Sequence, residues 1–300
     1  MMNNLRRVLR WAGFGAADGA GVKTEDAFVE IAKRIACCQT QNQINRVHID
    51  LENILAPLEL AGFAKFAAAR DLPKSTHNWL RKFQTWVPEI LEAPQLFERR
   101  TLGPLTLYQN AEHDMRDKGL LVTFCGNAHR LMVPVSIFLQ FVDSRSWDMA
   151  VLKKDSCNSY MDGLGLAPDL RGLADYVQAA TSSSQYRRRI TVGTSGGGFA
   201  ALWTALLMGA DRGISIGGCP HRHAAAAARD TRDRCSASAI RTELRSIYGE
   251  GCMRDQRSAL ALLEIFGAKL DPVPGIDGHN VLGVLLRRGE LARFLREMLV

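Results

Sequence analysis

The richest chemistry in this sequence lies in one serine set among glycines. The stretch reads Arg189-Ile190-Thr191-Val192-Gly193-Thr194-Ser195-Gly196-Gly197-Gly198-Phe199-Ala200-Ala201-Leu202. A short β-branched strand leads straight into Gly193-x-Ser195-x-Gly197 and then into an apolar helix. That is the strand–turn–helix context of a nucleophile elbow. A side chain two positions before or after the serine would collide with the neighbouring element, so Gly193 and Gly197 relieve the crowding. Gly196 offers a backbone N–H at the start of the helix, where the dipole favours a developing oxyanion. The run Gly196-x-Gly198-x-x-Ala201 imitates a dinucleotide fingerprint, but that motif belongs in the first strand–helix unit of its domain. Here at least three strand candidates precede it.

A serine at its ordinary pKa is a poor nucleophile and needs a base. Three histidines follow Ser195: His221, His223 and His279. His279 lies in Pro274-Gly275-Ile276-Asp277-Gly278-His279-Asn280-Val281, a loop near the C-terminus, and is preferred to His221. The acid is expected after the strand candidate Leu244–Tyr248, in Gly249-Glu250-Gly251-Cys252-Met253-Arg254-Asp255. Its work is to hold the imidazole tautomer and stabilise the imidazolium. Asp255 and Glu250 both qualify, with Asp255 the first choice. Asp255 also sits where a helix begins, so a role as N-cap competes with catalysis. Asp271 and Asp277 are remoter options.

A second oxyanion donor is expected in the loop Cys125-Gly126-Asn127-Ala128-His129-Arg130-Leu131, where Gly126 permits a tight turn that aims the N–H of Asn127 or a neighbour at the serine. Arg130 suits either an anionic part of a substrate or a surface salt bridge. Cys219, His221 and His223 resemble a metal cluster, but no fourth ligand stands at a suitable spacing, so no metal is expected.

The elements that must position these residues fall into two textures. Up to about residue 100 the chain reads as helical. Glu25–Cys37, His48–Ala56 and Trp79–Trp86 carry apolar residues at helical spacing, with turn signals at Gly62, Leu72-Pro73 and Pro94. From about 101 onward strands alternate with helices. The strand candidates are 105–108, 119–125, 147–152, 189–192, 213–216 and 244–248; the helix candidates are 169–179, 199–208, 256–266 and 291–299. Such alternation predicts a mostly parallel sheet covered on both faces, with chemistry at the carboxyl ends of its strands. The expected organisation is a helical accessory region, 1–100, and a catalytic domain, 101–300.

Composition narrows the class. Of 300 residues 47% are hydrophobic and 23% charged, an ordinary globular balance. No run of eighteen apolar residues exists, so no membrane span is expected. The basic start Met1–Arg10 is followed by a glycine-broken segment with an acid at Asp18, and it lacks the apolar run of an export signal. Seven cysteines without a CxxC motif suit free thiols in a reducing, cytoplasmic setting. The net charge of +7 is spread over 38 basic and 31 acidic residues. Its densest cluster, Arg187-Arg188-Arg189, precedes a strand, so nucleic acid is not an expected partner.

From about 100 to 300 the chain resembles the α/β-hydrolase superfamily, through GTSGGG at 193–198, the glycine-turn loop at 125–128 and DGHN at 277–280. More narrowly, IYGEGCMRD and GHNVLGVLL look like bacterial members linked to glycan or capsule synthesis, including the acetyltransferase of the accessory Sec glycoprotein export system. The resemblance implies esterase, thioesterase, peptidase or acyltransferase chemistry without a cofactor. The substrate would be a small-molecule or glycan acyl compound. The leading expectation is a serine hydrolase acting through an acyl-enzyme. An O-acyltransferase of polysaccharide or glycoprotein synthesis and a non-catalytic assembly protein are the alternatives. The helical first hundred residues depart from the minimal fold.

Overall fold

The computed structural model describes residues 23–55, 57–85, 95, 97–126, 128–154, 160–236 and 242–300. The basic start, Ala56, Trp86, Pro94 and Asn127 lie outside them. The chain divides into two compact units, Met1–Gln95 with Pro134–Gln140, and Leu96–Val133 with Phe141–Val300.

The first unit is helical: α1 (Lys23–Ala36), α2 (Gln41–Ile54), α3 (Pro57–Ala68), α4 (Lys74–Gln84) and α5 (Val135–Gln140). Helix α2 starts seven residues before the segment read from the sequence. Thr40 and Gln43 form a reciprocal capping box there, a signal the apolar spacing does not carry. Gly62 does not mark a turn. It lies inside α3, where an added Cβ would come within 3.3 Å of the Phe28 ring, so its bareness lets α1 approach. Phe28 packs on Phe63 and Phe66 with ring centroids 5.6 Å apart in each case. Buried His48 stacks on Trp79 at 4.3 Å, and the Trp79 indole donates to Glu52 at 2.7 Å.

The second unit is an eight-stranded sheet in the order β1-β2-β4-β3-β5-β6-β7-β8. The strands are β1 (Glu98–Leu102), β2 (Leu105–Gln109), β3 (Gly119–Phe124), β4 (Trp147–Leu152), β5 (Arg188–Thr194), β6 (Arg212–Ile216), β7 (Glu243–Gly249) and β8 (Lys269–Val273). From β4 to β8 neighbouring strands run parallel, while β2 is antiparallel to both β1 and β4. All six residues of β3 are buried, as are five of six in β4, so side chains of both alternations are covered.

Helices α6 (Leu170–Thr181), α7 (Gly198–Met208), α8 (Ala225–Ser236), α9 (Met253–Phe266), α10 (Val281–Arg287) and α11 (Leu291–Leu299) complete this unit. Helix α7 is almost wholly buried, and Gly209, at φ 57°, ends it in the left-handed conformation that glycine accepts most easily. Phe199 of α7 packs on Phe266 of α9 with ring centroids 5.0 Å apart. The mostly parallel sheet flanked by helices, with a helical region before it, is the fold class expected.

At the amino ends of β3 and β4 lies a buried polar staple. The Lys118 ammonium is 2.6 Å from Asp148 Oδ1 and donates to the Asn110 carbonyl at 2.8 Å. The Tyr186 hydroxyl donates to Asp148 Oδ2 at 2.8 Å. Removing one member of a buried ion pair leaves the other charge uncompensated. Lys118→Met is therefore expected to lower unfolding stability by about 3–5 kcal/mol. Urea unfolding of the variant beside the parent measures this. A midpoint unmoved by the change would show that Asp148 finds its compensation elsewhere.

Candidate active site

The carboxyl ends of the parallel strands bring together three of the residues that the sequence singles out, Ser195, Asp255 and His279. Strand β5 ends at Thr194, and Ser195 follows at φ 51°, a left-handed conformation rare for a residue with a Cβ. A single helical turn, Ser195–Gly197, then runs on into α7. The flanking glycines are required by contact. A Cβ on Gly193 would strike the Gly197 carbonyl, and one on Gly197 would strike Phe124. Gly126 is crowded more mildly, its Cβ position lying 3.1 Å from the Cβ of Ser195. The turn thus packs so closely on β3 and on its own helix that Gly193 and Gly197 leave no room for a side chain.

His279 Nε2 lies 3.0 Å from Ser195 Oγ, and His279 Nδ1 lies 2.7 Å from Asp255 Oδ2. An ionised carboxylate only accepts, so Nδ1 carries the proton and Nε2 is left to accept from the serine hydroxyl. The Asp255 side chain is fully buried, and the imidazole is about a third exposed. Asp255 is not the cap of α9. Cys252 holds that position, and Asp255 falls in the first turn, where the helix dipole stabilises its negative charge. Its Oδ1 accepts from Arg254 Nε at 3.3 Å.

The loops carrying the acid and the histidine are laced together. Glu250 N–H donates to Val273 O, and Gly251 N–H to Ile276 O, both at 3.0 Å. Asn280 caps α10 by accepting from Gly283 N–H at 2.9 Å, which fixes the backbone next to His279. Glu250 itself is exposed at the turn. Asp271 pairs with Arg245 at 2.5 Å, and Asp277 is exposed. Of the acids weighed from the sequence, Asp255 is the one the fold brings to His279.

Gly196 sits beside Ser195 at the start of the helix, where backbone N–H groups have no partner within the helix. Asn127, the other oxyanion candidate, lies outside the described residues. Its loop is pinned on either side. Gly126 N–H donates to Arg130 O at 3.0 Å, and Thr194 Oγ1 donates to the same carbonyl at 3.2 Å. His129 in this loop and Met132 just after it have φ of 57° and 61°. Such strain gathers at functional sites. The neighbouring Cys125 thiol is pushed up to about 12 by burial, against the weaker pull of Lys153, so it stays protonated. His221 lies against Phe199 and His223, and among the described residues no group of side chains has the makings of a metal site.

Sequence reasoning missed Gly217, which follows β6 at φ 56°. A Cβ there would lie 2.8 Å from Met132 Cε and 3.1 Å from both Asp255 Oδ2 and His279 Cε1. The doublet Gly217-Gly218 after a strand was the available signal. Gly217→Ala is expected to cut turnover at least ~10-fold by displacing the imidazole, a shift of under 1 Å being enough. Steady-state kinetics of the folded variant check this; parental turnover would mean that the site yields without cost.

No protein-family model matches the chain, and no curated protein matches its sequence. Solved structures do resemble it. The 2,6-dihydroxy-pseudo-oxynicotine hydrolase is 13% identical, with 98% of this chain and 95% of that one covered at a TM-score of 0.47. Carboxylesterase CesB from Bacillus subtilis is 13% identical over 72% of this chain and 96% of its own, at 0.41. An α/β hydrolase from a lagoon-sediment metagenome is 14% identical over 67% and 96%, at 0.43. These are distant likenesses. The chain's own strand order, with the turn after β5 and the histidine loop after β8, is of the α/β-hydrolase type that the sequence resemblance implied.

Proposed function

We propose that this α/β-hydrolase-type chain is a serine hydrolase of esterase type, with Ser195 as nucleophile, His279 as base and Asp255 as the supporting acid. One observation carries the reading: the unbroken row Ser195 Oγ, His279 Nε2, His279 Nδ1, Asp255 Oδ2, with contacts of 3.0 and 2.7 Å. It starts at a residue held in a strained backbone turn.

In this reading Ser195 Oγ attacks the carbonyl carbon of an acyl ester while its proton passes to His279 Nε2. The carbonyl electrons move onto oxygen, and the Gly196 N–H at the helix start supports that charge. Collapse of the intermediate expels the alcohol, which takes the proton from His279. Water then attacks the acyl-enzyme by the same route, with His279 again as base. Asp255, buried and at a helix start, stabilises the imidazolium in both halves. The residues themselves supply every proton transfer.

Water and a sugar hydroxyl would use the same three residues, and no observation favours a glycan acceptor over water. Incubation with a chromogenic acyl ester tests the reading, and added oligosaccharide tests the acceptor. The expected result is release of alcohol and free acid in equal amounts, unaltered by oligosaccharide. Acyl groups appearing on the sugar would make the protein a transferase. No turnover over a broad panel of acyl lengths would leave the hydrolase reading without support.

A further inference from the structure

Helix α9, which carries Asp255, is apolar on two faces. Its inner face buries Ala259, Leu262, Ile265 and Phe266 against the sheet and its neighbours. One such stripe is all that a helix on a sheet requires. Yet Met253 is 60% exposed, Leu260 46% and Leu263 39% on the outer side. Only two other large apolar side chains are as open among the described residues, Leu166 and Val300, and neither lies on this helix. Three exposed apolar residues on one helix face mark a contact surface rather than scatter.

The charges beside this stripe name the partner. Arg257 and Glu264 are both exposed, lie two turns apart on the same side, and make no ion pair among the described residues. They are equally distant from the midpoint between Leu260 and Ala261. If two copies of α9 pair antiparallel about a two-fold axis through that midpoint, Arg257 of each copy faces Glu264 of the other. Leu260 then packs across the axis, where the small Ala261 allows close approach. A parallel pairing would instead set arginine on arginine and glutamate on glutamate. Charged positions flanking an apolar seam choose partner and orientation in this way.

We propose that this chain forms a two-fold homodimer through the outer face of α9. A two-fold contact uses the same patch on both copies, and a self-complementary stripe with opposite charges at equal distances from its centre meets that condition. A single helix face is small beside a standard interface, so the dimer dissociates on dilution. The surface is independent of the chemistry proposed at Ser195, and its test needs no activity.

Sedimentation velocity of the full chain over a dilution series is the experiment. The parent is expected to pass from monomer to dimer as concentration rises. Leu260→Lys should remain monomeric. Arg257→Glu alone and Glu264→Arg alone should each weaken association at least ~10-fold, because each sets two like-charged pairs across the axis. The double variant Arg257→Glu with Glu264→Arg should recover it. Circular dichroism confirms folding of each variant, all three positions being solvent-exposed. A parent that stays monomeric at every concentration overturns the proposal. So does a dimer indifferent to Leu260→Lys, or a double variant no better than the single ones.

Discussion

Ser195→Ala is expected to lower ester turnover by ~10⁴ to ~10⁶, and His279→Ala to do nearly the same. The double variant should be little worse than either, because a nucleophile and its base act as one unit. The contact of 3.0 Å between Ser195 Oγ and His279 Nε2 is the reason to expect this. Losing either partner leaves only binding and the oxyanion donors. His221→Ala is the control: His221 sits against Phe199 and His223, so its loss should be mild. Initial rates of the four variants decide the matter. Losses that multiply in the double variant would show two independent contributions and no working pair.

The second large effect belongs to the acid. Asp255→Asn is expected to cut turnover by ~10³ to ~10⁴ with little change in thermal stability. An amide in this place keeps the shape and removes the charge that, in the proposed mechanism, supports the imidazolium. Its NH₂ group, turned to His279 Nδ1, also favours the wrong tautomer. Glu250→Gln should be silent, since Glu250 is exposed at the turn after β7. The pair separates catalysis from capping. Asn caps a helix about as well as Asp, so a capping Asp255 would tolerate the change. A silent Asp255→Asn beside a crippled Glu250→Gln would reverse the assignment of the acid.

Much of this arrangement was legible in the sequence because local chemistry and global position agree there. Gly193 and Gly197 announce a turn too tight for a Cβ, and the contacts with Phe124 and Ala201 are the physical content of that signal. The buried strands β3 and β4 are mostly apolar, broken only by Thr123 in the first and Asp148 in the second, and were read almost to the residue. The edge strands were not. Glu98–Leu102 is mostly charged, and Lys269–Val273 carries Pro272, because an edge strand has no second neighbour and needs no apolar pattern.

The choice between Asp255 and Glu250 shows a different limit. Both follow β7, but Asp255 lies buried in the first turn of α9, where it reaches His279, whereas Glu250 lies exposed in the turn before that helix. The Gly251 N–H to Ile276 O contact ties that turn to the segment leading to His279, a pairing between distant segments that spacing along the chain does not encode. Gly62 misled for a related reason. A glycine that serves a helix contact looks the same in sequence as one that ends a helix.

Labelling with a fluorophosphonate probe, followed by peptide mapping, tests the central claim most directly. The probe phosphonylates a serine only where a base has activated it, so it reports the Ser195–His279–Asp255 row without knowledge of the substrate. The expected result is one labelled peptide carrying Ser195, with labelling lost in Ser195→Ala and in His279→Ala. A native protein that takes no label, or one labelled at another serine, would contradict the account.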